Sequence, residues 1–311
     1  MEYHFIGDVH GQADRLEALL RQLGYARAGS GWRHPAGRVV FLGDFIDRGP
    51  QQRRVIEIVR SMVESGNALA VMGNHEFNAL CYHNLHPETG QPLRAREGRH
   101  LRQHRAFLEE FALGRPETRE VIRWLQSLPL HLEVADGQGR PLFRAIHACW
   151  VPAVVRQVPR YLDRELLVQA ATRGTRLFQD VELLLKGPEI PLPKGCSFHD
   201  KEGKPRRRVR IKWWESGPGA TYRRIALVPR GEEENLPETP VGTVGNWHCH
   251  GQGEPPVFFG HYWLAGPPRV IGSNLACLDY SAGEKGALVA YRFRVEEAGT
   301  ALRNDCLVSA A

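Results

Sequence analysis

The sequence predicts an α/β fold whose sheet is largely buried and contains parallel strand pairs. Within the first 80 residues one unit recurs: a short apolar run, a turn rich in Gly and Asp, and a helical spacing of apolar residues. Strands that alternate with helices in this way form parallel pairs, because a parallel connection needs a crossover. The composition, 42% hydrophobic and 24% charged over 311 residues, is typical of a globular protein with a sizeable core.

Three strands and two helices account for the first part of the chain. The first strand covers residues 2–7. Leucines at helical spacing mark the helix after it, namely Leu16, Leu19, Leu20 and Leu23. Residues 38–43 form the second strand, and Pro50 opens a helix because proline suits the first helical turn. The third strand covers residues 68–72.

The rest of the chain has a helical middle, an irregular segment and an end rich in strands. Helical patterns cover residues 99–113, 116–128 and 159–186, and strand patterns cover 130–134 and 141–147. Pro, Gly and charged residues are frequent in two stretches around one strand-like segment at 207–214, namely 187–207 and 215–256. Apolar runs return at 257–259, 275–280 and 286–295.

Charge and cysteine spacing exclude several protein classes. The formal net charge of +6 suits an anionic partner but is modest for 311 residues. No apolar run reaches the roughly 18–20 residues that span a bilayer, and the first residues lack the features of a signal peptide. The six cysteines lie far apart without a C-x-x-C pair, which argues against a zinc ribbon or a disulfide framework. We expect a soluble, cytoplasmic protein that contacts no membrane.

Each of the first three strands ends in Gly followed by residue types that bind metals. The three blocks are Gly7-Asp8-Val9-His10-Gly11, Gly43-Asp44-Phe45-Ile46-Asp47-Arg48-Gly49 and Gly73-Asn74-His75-Glu76. Because ligands of open α/β sheets bind beyond the carboxyl ends of the strands, we expect the three blocks to converge. A set of carboxylate, imidazole and amide oxygen suits manganese, iron or zinc better than calcium.

Two later histidines, His147 and His261, also follow strand patterns and are candidate ligands of a second cation. One metal would be held by Asp8, His10 and Asp44. The other would be held by Asp44, Asn74, His147 and His261, with Asp44 as the bridge. Two cations about 3.5–4 Å apart lower the pKa of a bridging water and clamp the oxygens of an in-line phosphoryl displacement. The alternative is that the two aspartates and Asn74 only cap the following helices.

The three blocks and the two late histidines resemble the pattern of the calcineurin-like metallophosphoesterases, and within that family the phosphoprotein phosphatase group. The family pattern reads GDxHG, GDxxDRG and GNHE, and all three blocks occur here unaltered and in order. The resemblance implies an α/β fold of two packed mixed β-sheets flanked by helices. It also implies one domain over residues 1–311, with insertions at about 80–130 and 187–256. Two divalent cations are implied, expected to be manganese, with iron or zinc as alternatives.

The resemblance also implies a role for each matched residue. His75 is expected to protonate the leaving oxygen as general acid, oriented by Asp47. Arg48 is expected to bind the phosphate oxygens, and Asn74 to ligate metal and contact the substrate. A metal-bridging hydroxide would attack phosphorus in line, so no covalent phosphoenzyme is expected.

A basic segment at residues 204–214 is a second feature of interest. In a strand, one face carries Arg208, Arg210 and Lys212, and the other carries Val209, Ile211 and Trp213. Members of the family commonly add a second cation near this position, and Lys212 is the candidate for phosphate binding. The alternatives are an edge strand with solvated charges and a nucleic-acid patch. His248 and His250 imitate a metal cluster, and we expect a structural or solvated role for them.

The predicted function is hydrolysis of phosphate monoesters, most simply phosphoserine or phosphothreonine in a protein or peptide. The alternative is hydrolysis of dinucleoside polyphosphates such as diadenosine tetraphosphate, since similar bacterial enzymes of the family show both activities. Segment 204–214 favours the nucleotide, because a tryptophan there could stack on a base. A catalytically silent binding module and a nucleic-acid-binding protein are the rival hypotheses. A silent module would be expected to lack ligands, and this chain lacks none.

Overall fold

The computed structural model describes residues 1–29, 31–242 and 253–310. Two larger β-sheets, of five and four strands, pack face to face, and helices cover their outer faces. This arrangement confirms the predicted α/β fold of two packed mixed sheets flanked by helices. No described helix is both long and apolar enough to cross a membrane. His248 and His250, with their expected structural role, lie outside the described residues.

The helices and strands have the following bounds. The strands in chain order are β1 (Glu2–Ile6), β2 (Ala26–Ala28), β3 (Gly31–Arg33), β4 (Gly37–Phe41), β5 (Ala68–Ala70), β6 (His131–Ala135), β7 (Pro141–Ile146), β8 (Glu189–Pro191), β9 (Phe198–His199), β10 (Pro205–Arg206), β11 (Arg208–Ile211), β12 (Ala226–Leu227), β13 (Val257–Phe259), β14 (Leu275–Cys277), β15 (Leu288–Arg294) and β16 (Leu307–Ala310). The α-helices are α1 (Ala13–Gln22), α2 (Gln52–Glu64), α3 (Asn74–His83), α4 (Gly98–Glu110), α5 (Pro116–Gln126), α6 (Pro152–Val155), α7 (Arg164–Ala171), α8 (Arg176–Lys186) and α9 (Tyr222–Ile225).

The five-stranded sheet has the order β16-β15-β1-β4-β5. Strands β1, β4 and β5 run parallel, whereas β15 and β16 add antiparallel pairs on the other side of β1. In register, Phe5 lies between Val40 of β4 and Tyr291 of β15. Because β1, β4 and β5 are parallel, the three Gly-containing blocks that follow them leave the sheet at one end.

The four-stranded sheet, with the order β14-β13-β7-β6, supplies the two late histidines. Strand β13 is parallel to both β7 and β14, whereas β6 pairs antiparallel with β7. His147 directly follows β7, and His261 follows β13 after a single glycine. Both histidines therefore leave this sheet at the same end.

Alternating side chains separate the interface between the sheets from the faces covered by helices. At the interface, the ring of Phe5 stacks on that of Phe258 with centroids 3.6 Å apart. The next residues along these strands, Ile6 and Phe259, belong to a second buried cluster that includes helix residues. Helix α1 lies against β15 and β16, and α2 lies against β5. Both faces of each sheet are thus buried, which keeps the strand ends in fixed positions.

Most predicted elements are present with shifted ends. The strand predicted at 38–43 ends at Phe41, and the helix expected to open at Pro50 begins at Gln52. The helical pattern predicted at 159–186 forms two separate helices, α7 and α8. The hairpin of β2 and β3 and the last strand, β16, are absent from the sequence-based prediction. Each of these strands has only three or four residues and is incompletely buried, so its apolar pattern is weak.

The segment at 187–242 is more regular than its composition predicts. It contains a three-stranded sheet, β8-β11-β12, with a buried cluster that includes Val209 and Ile211. The strand predicted at 207–214 ends at Ile211, and a short 3-10 helix begins at Trp213. The predicted apolar face is confirmed, because Val209, Ile211 and Trp213 are each at most 1% exposed.

Candidate metal centre

Buried side chains from the ends of five strands meet at one place. Asp8, Asp44 and Asn74 follow β1, β4 and β5, while His147 and His261 follow β7 and β13. Each of these residues is at most 9% exposed. The site therefore joins residues up to 253 positions apart in the chain.

Asp44 lies at the centre of this cluster. Its Oδ2 atom is 3.6 Å from Nε2 of His10, and its Oδ1 atom is 3.4 Å from Nε2 of His147. Ligand atoms of Asp44, His147 and His261 lie within 4.8 Å of one another, as do those of His10, Asp44 and His75. The two carboxylate oxygens of Asp44 thus face different histidines, which is the arrangement that a bridging ligand needs.

Asp8 and Asn74 complete the cluster. Oδ2 of Asp8 is 4.0 Å from Nε2 of His10, and both of its oxygens accept the backbone N–H of His261 at 3.2 Å. Oδ1 of Asn74 is 3.1 Å from Nε2 of His147. All six residues predicted to bind two metals are therefore in one cluster.

Hydrogen bonds to the main chain decide which nitrogen of two histidines faces the cluster. Nδ1–H of His10 donates to the carbonyl oxygen of Ile46 at 2.9 Å, and Nδ1–H of His147 donates to that of Leu42 at 2.7 Å. In a neutral imidazole, Nε2 then carries the lone pair that a metal requires. Both Nε2 atoms face Asp44, so the two rings are already oriented as ligands.

His261 differs because a guanidinium of the chain contacts it. Nη1 of Arg210 donates to Nε2 of His261 at 2.8 Å. Burial, together with the positive charges of Arg210 and His147, keeps the pKa of His261 well below its usual value, so this ring is neutral. Its Nε2 lone pair is engaged by Arg210. Coordination of a metal through Nε2 therefore requires the guanidinium to move away.

The charges of the cluster depend on one another. Burial opposes protonation of His147, but the Asp44 carboxylate outweighs burial and raises the pKa of His147 to about 10. Burial likewise opposes ionisation of Asp44, but His147 and His75 hold the pKa of Asp44 well below its usual range. Burial and the neighbouring Asp279 raise the pKa of Asp8 well above its usual value. A divalent cation would neutralise these buried carboxylates and replace the imidazolium proton.

The donor set fits divalent transition metals. At metal–ligand distances of about 2.1 Å, the ligand atoms of a tetrahedral site lie about 3.4 Å apart. The distances of 3.4 and 3.6 Å between the Asp44 oxygens and the two facing histidines are close to this value. Two carboxylates, three imidazoles and one amide oxygen also match the ligand preferences of manganese, iron and zinc.

His75 and Asp47 form the pair expected of a general acid and its orienting carboxylate. Nδ1–H of His75 donates to Oδ2 of Asp47 at 2.5 Å, and Nε2 of His75 is 3.9 Å from an Asp44 oxygen. Burial would raise the pKa of Asp47, but hydrogen bonds from His104 and His75 lower it to about 2. Burial opposes protonation of His75, yet Asp44 and Asp47 raise its pKa. A raised pKa suits a group that must carry a proton near neutral pH.

The backbone of the site is strained where these side chains converge. Several described residues other than glycine have φ values in the left-handed region, between 47° and 71°, and five of them are candidate site residues: His10, Asp44, Asp47, Arg48 and His261. Such conformations cost about 1–3 kcal/mol each and persist where the surroundings enforce them. Composition and periodicity give no indication of this strain.

Two glycines allow the main chain to contact the candidate ligands closely. A Cβ atom at Gly73 would lie 2.3 Å from Oδ1 of Asp44, and one at Gly260 would lie 2.0 Å from Oδ1 of Asp8. Neither position has room for a side chain. Glycine is therefore required there by space, and its presence before Asn74 and His261 is part of the site.

Glu76, the last residue of the third block, connects two loops of the site. Its carboxylate accepts the backbone N–H groups of Asp44, Phe45 and Gly73 at 2.8 to 2.9 Å. Burial raises the pKa of Glu76 to about 7. Glu76 is also the third residue of α3, and the N–H group that it accepts from Gly73 belongs to the N-cap residue of this helix. The sequence indicates that Glu76 lies near the start of a helix. It does not indicate the hydrogen bonds between Glu76 and the loop of Asp44.

The basic strand brings Arg210, rather than Lys212, to the cluster. Nζ of Lys212 is 3.8 Å from Glu215, and no contact with the cluster is found for it among the described residues. Arg210 lies on the same strand face two residues earlier and reaches His261. The expectation that a tryptophan of this segment stacks on a base is wrong for Trp213, because its ring is 1% exposed.

A cavity of about 400 Å³ opens beside the cluster. Arg48 and His75 line it, and the other lining residues belong to α4, within the predicted insertion at 80–130. Arg102 and Arg105 are among them, together with Glu109. The cavity wall therefore has a net positive charge next to the expected general acid.

Similar proteins and structures were found for part or all of the chain. A bis(5'-nucleosyl)-tetraphosphatase (asymmetrical) of Halalkalibacterium halodurans is 45% identical over 76 residues, which are 24% of this chain and 31% of that protein. Its Bacillus subtilis counterpart of the same name is 36% identical over 143 residues, 44% of this chain and 55% of that protein. The chain thus spans about half, or less, of the length of these curated relatives. The crystal structure of a cold-active protein-tyrosine phosphatase from a psychrophilic Shewanella species is 16% identical, with a TM-score of 0.49, over 100% of this chain and 80% of that one.

One match covers the larger part of the chain. Residues 1–168 match the calcineurin-like phosphoesterase family. This region contains the three Gly-containing blocks and His147, so it includes five of the six candidate metal ligands. The chain therefore belongs to the calcineurin-like phosphoesterase family.

Proposed function

We propose that this protein is a metal-dependent phosphoester hydrolase that acts on dinucleoside polyphosphates. The observation that carries the hydrolase activity is the buried Asp44-centred cluster with His75 beside it, where His75 also lines a cavity. Dinucleoside polyphosphates replace phosphopeptides as the first candidate substrate. The reason is that the two curated relatives reported above, which are 36% and 45% identical over the matched residues, are both named as tetraphosphatases.

Two divalent cations, expected to be manganese, would be held by the cluster. Asp8, His10 and Asp44 would hold one, and the second would be held by Asp44, Asn74, His147 and His261. When bound, the cations supply Lewis acidity for the phosphate oxygens and a water of lowered pKa. His10 is already in the protonation state that a metal requires, whereas His147 would have to lose a proton. Burial, together with Arg48 and His75, lowers the pKa of His10 to about 3, so this ring offers a lone pair at neutral pH.

Arg48 and His75 are proposed to act on the substrate from the cavity. The Arg48 guanidinium would bind the non-bridging phosphate oxygens and stabilise the charge of the transition state. His75 donates Nδ1–H to Asp47, so a protonated ring presents Nε2–H to the leaving oxygen. Arg210, once it leaves His261, would be a second guanidinium for the phosphate.

The α4 wall of the cavity supports a substrate with several phosphates. Arg102 and Arg105 line the same cavity as Arg48. A polyphosphate with one phosphate group at Arg48 extends further anionic groups into this cavity, and guanidinium groups bind such oxygens well. A single phosphorylated side chain would leave these two arginines without an anionic partner from the substrate.

A phosphoserine or phosphothreonine residue is the second candidate, because the predicted aromatic platform for a base is not formed. Trp213 is buried against Phe259, and the half-buried Trp214 packs edge-on against Tyr262. A phosphopeptide needs no such platform. The nucleoside groups of a dinucleoside polyphosphate would have to bind elsewhere.

The test compares kcat/KM of manganese-reconstituted protein for diadenosine tetraphosphate and for a phosphothreonine peptide in one buffer. We expect the higher value for the dinucleotide. A higher value for the peptide would overturn the proposed substrate but not the hydrolase. The His75→Asn variant is expected to lose most turnover while it keeps its metal content. If the wild-type protein turned over neither substrate, the hydrolase proposal itself would fail.

A further inference from the structure

We propose that His104, on helix α4, is a positioning residue for the pair formed by His75 and Asp47. No motif of the sequence includes His104, which lies in the helix that lines the cavity. This role rests on the proposed hydrolase function but not on the identity of the substrate.

The Asp47 carboxylate is shared between two histidines. Its Oδ2 atom accepts Nδ1–H of His75 at 2.5 Å, and its Oδ1 atom accepts Nδ1–H of His104 at 2.8 Å. Asp47 is 2% exposed and His104 is 4% exposed, so water does not compete for these bonds. Because each oxygen has its own donor, the carboxylate cannot turn about its Cβ–Cγ bond without losing one of them.

His104 is itself held in place by its neighbours. Its ring stacks on that of Phe107, with centroids 4.7 Å apart and planes inclined by 17°. Its Nε2 atom is 3.1 Å from Nε2 of His83, at the end of α3. Burial, together with His104 and Arg96, lowers the pKa of His83 to about 3, so His83 is neutral near pH 7. The two Nε2 atoms can then share one hydrogen, while Nδ1–H of His104 donates to Asp47.

The consequence for His75 concerns the direction in which it can donate a proton. Asp47 keeps a proton on Nδ1 of His75 and so keeps Nε2 directed toward the Asp44 carboxylate. Without His104, Oδ1 of Asp47 would be buried without this donor and the carboxylate would be free to turn. The His75 ring would then lose the fixed orientation that proton transfer to a leaving oxygen requires.

A purely structural role for His104 leads to a different expectation. If the ring only filled space beside Asp47, its loss would reduce the rate for every substrate by the same factor. A positioning role acts through protonation of the leaving group. The rate should therefore fall more for an ester whose leaving group is strongly basic and needs the proton.

The test measures kcat of the metal-loaded His104→Phe variant with two aryl phosphates. The Phe ring keeps the stack on Phe107 but has no N–H to donate. For phenyl phosphate we expect kcat to fall by about 10-fold or more, with KM unchanged, because a general acid contributes 10²-fold or more. For 2,4-dinitrophenyl phosphate, whose leaving group departs without a proton, we expect a change of less than about 3-fold.

Three further variants separate positioning from packing. Phe107→Leu loosens the packing of His104 but keeps the bond to Asp47, so it should affect both esters equally. His104→Asn places an amide N–H near the position of Nδ1 and should recover part of the phenyl phosphate activity. In a His75→Asn background, His104→Phe should cause no further loss of kcat, because the group it positions is already gone.

Several outcomes would overturn the proposal. One is an equal loss of kcat on both esters in His104→Phe. Another is no recovery of kcat for phenyl phosphate in His104→Asn. The third is that His104→Phe lowers kcat by the same factor in the His75→Asn background. If His104→Phe does not fold, His104→Asn is compared with His104→Gln, whose N–H lies near Nε2 and away from Asp47. If the ratio of kcat for phenyl phosphate to kcat for 2,4-dinitrophenyl phosphate were the same in those two variants, the proposal would also be overturned. A wild-type protein that hydrolyses neither ester, nor diadenosine tetraphosphate, nor the phosphothreonine peptide would instead show that the hydrolase function is wrong, and the role of His104 with it.

Discussion

The carboxylate of Glu76 accepts the backbone N–H of Asp44 at 2.8 Å. The loop that contains Glu76 thereby holds the loop that contains Asp44. Asp44 is the residue whose two carboxylate oxygens face His10 and His147. The carboxylate of Glu76 also accepts the N–H of Gly73 at 2.9 Å in its own loop. One buried acid therefore sets the spacing between the ends of two parallel strands.

Replacing Glu76 by Ala should destabilise the protein strongly. The change leaves buried N–H groups of Asp44, Phe45 and Gly73 without this acceptor, and each such group costs about 1–3 kcal/mol. We expect urea unfolding of the metal-free protein to show a free energy of unfolding lower by about 3 kcal/mol or more. Glu64→Ala is the control, since Glu64 is 56% exposed and pairs with Arg60 at the surface. Glu64→Ala should lower the free energy of unfolding by at most about 1 kcal/mol. An equal decrease for the two variants would contradict the role of Glu76 as acceptor of the buried N–H groups.

Asp44→Asn should reduce the metal content of the protein. The substitution removes the charge that both groups of histidines face, so we expect no more than one of the two proposed cations to remain bound after gel filtration. Elemental analysis by mass spectrometry measures the ratio of metal to protein. Asp14→Asn, at a side chain 72% exposed, should leave this ratio unchanged. Retention of two cations by Asp44→Asn would show that Asp44 is not the bridge.

Metal binding should release a proton from His147. In the metal-free protein Asp44 outweighs burial and raises the pKa of His147 from 6.5 to about 10. The stabilisation from this imidazolium is complete below pH 6.5 and is lost as pH rises through about 10. Between these values a metal must displace the proton, so affinity should rise about tenfold per pH unit. Calorimetry in buffers with different ionisation enthalpies measures the release, and His147→Asn should release about one proton fewer. Equal release by both proteins would be evidence against His147 as a ligand.

Gly260→Ala should weaken metal binding through Asp8. The new Cβ would lie 2.0 Å from Oδ1 of Asp8, so the carboxylate must shift. We expect manganese affinity to fall by about 10-fold or more, as for other changes that disturb the support of a ligand. Gly137→Ala is the matched control, because a Cβ there has no neighbour within 4 Å and its φ is not in the left-handed region. A similar manganese affinity for both variants would show that Asp8 is not a ligand or has room to move.

The cluster of candidate metal ligands could be predicted because its residues lie at or just after the ends of strands. Parallel strands present their carboxyl ends on the same side, so residues directly after them converge even when far apart in sequence. Asp8 and His261 illustrate this, since a hydrogen bond joins them across 253 positions. In the sequence a glycine directly precedes four of the six candidate ligands, namely Asp8, Asp44, Asn74 and His261. The structure adds that two of these glycines, Gly73 and Gly260, have no room for a side chain.

The contacts made by the inserted segments could not be predicted in the same way. Arg210 and Lys212 share one face of the strand predicted at 207–214, so alternation does not distinguish them. Which of them reaches His261 depends on how the sheet β8-β11-β12 sits against the site. The contact of His104 with Asp47 likewise depends on the packing of α4, because 57 residues separate the two in sequence. No local pattern encodes either distance.

Helix α4 contributes both Arg102 and Arg105 to the cavity wall and His104 to the carboxylate of Asp47. These three residues lie within a single turn of a rigid element. A tilt or sliding of α4 that accommodates a new substrate would therefore also disturb the proposed proton donor. Under the roles proposed for His75 and His104, substrate range and turnover would not be independently adjustable. Evolution toward another substrate is expected to exchange exposed side chains of α4 and to preserve the length and position of the helix.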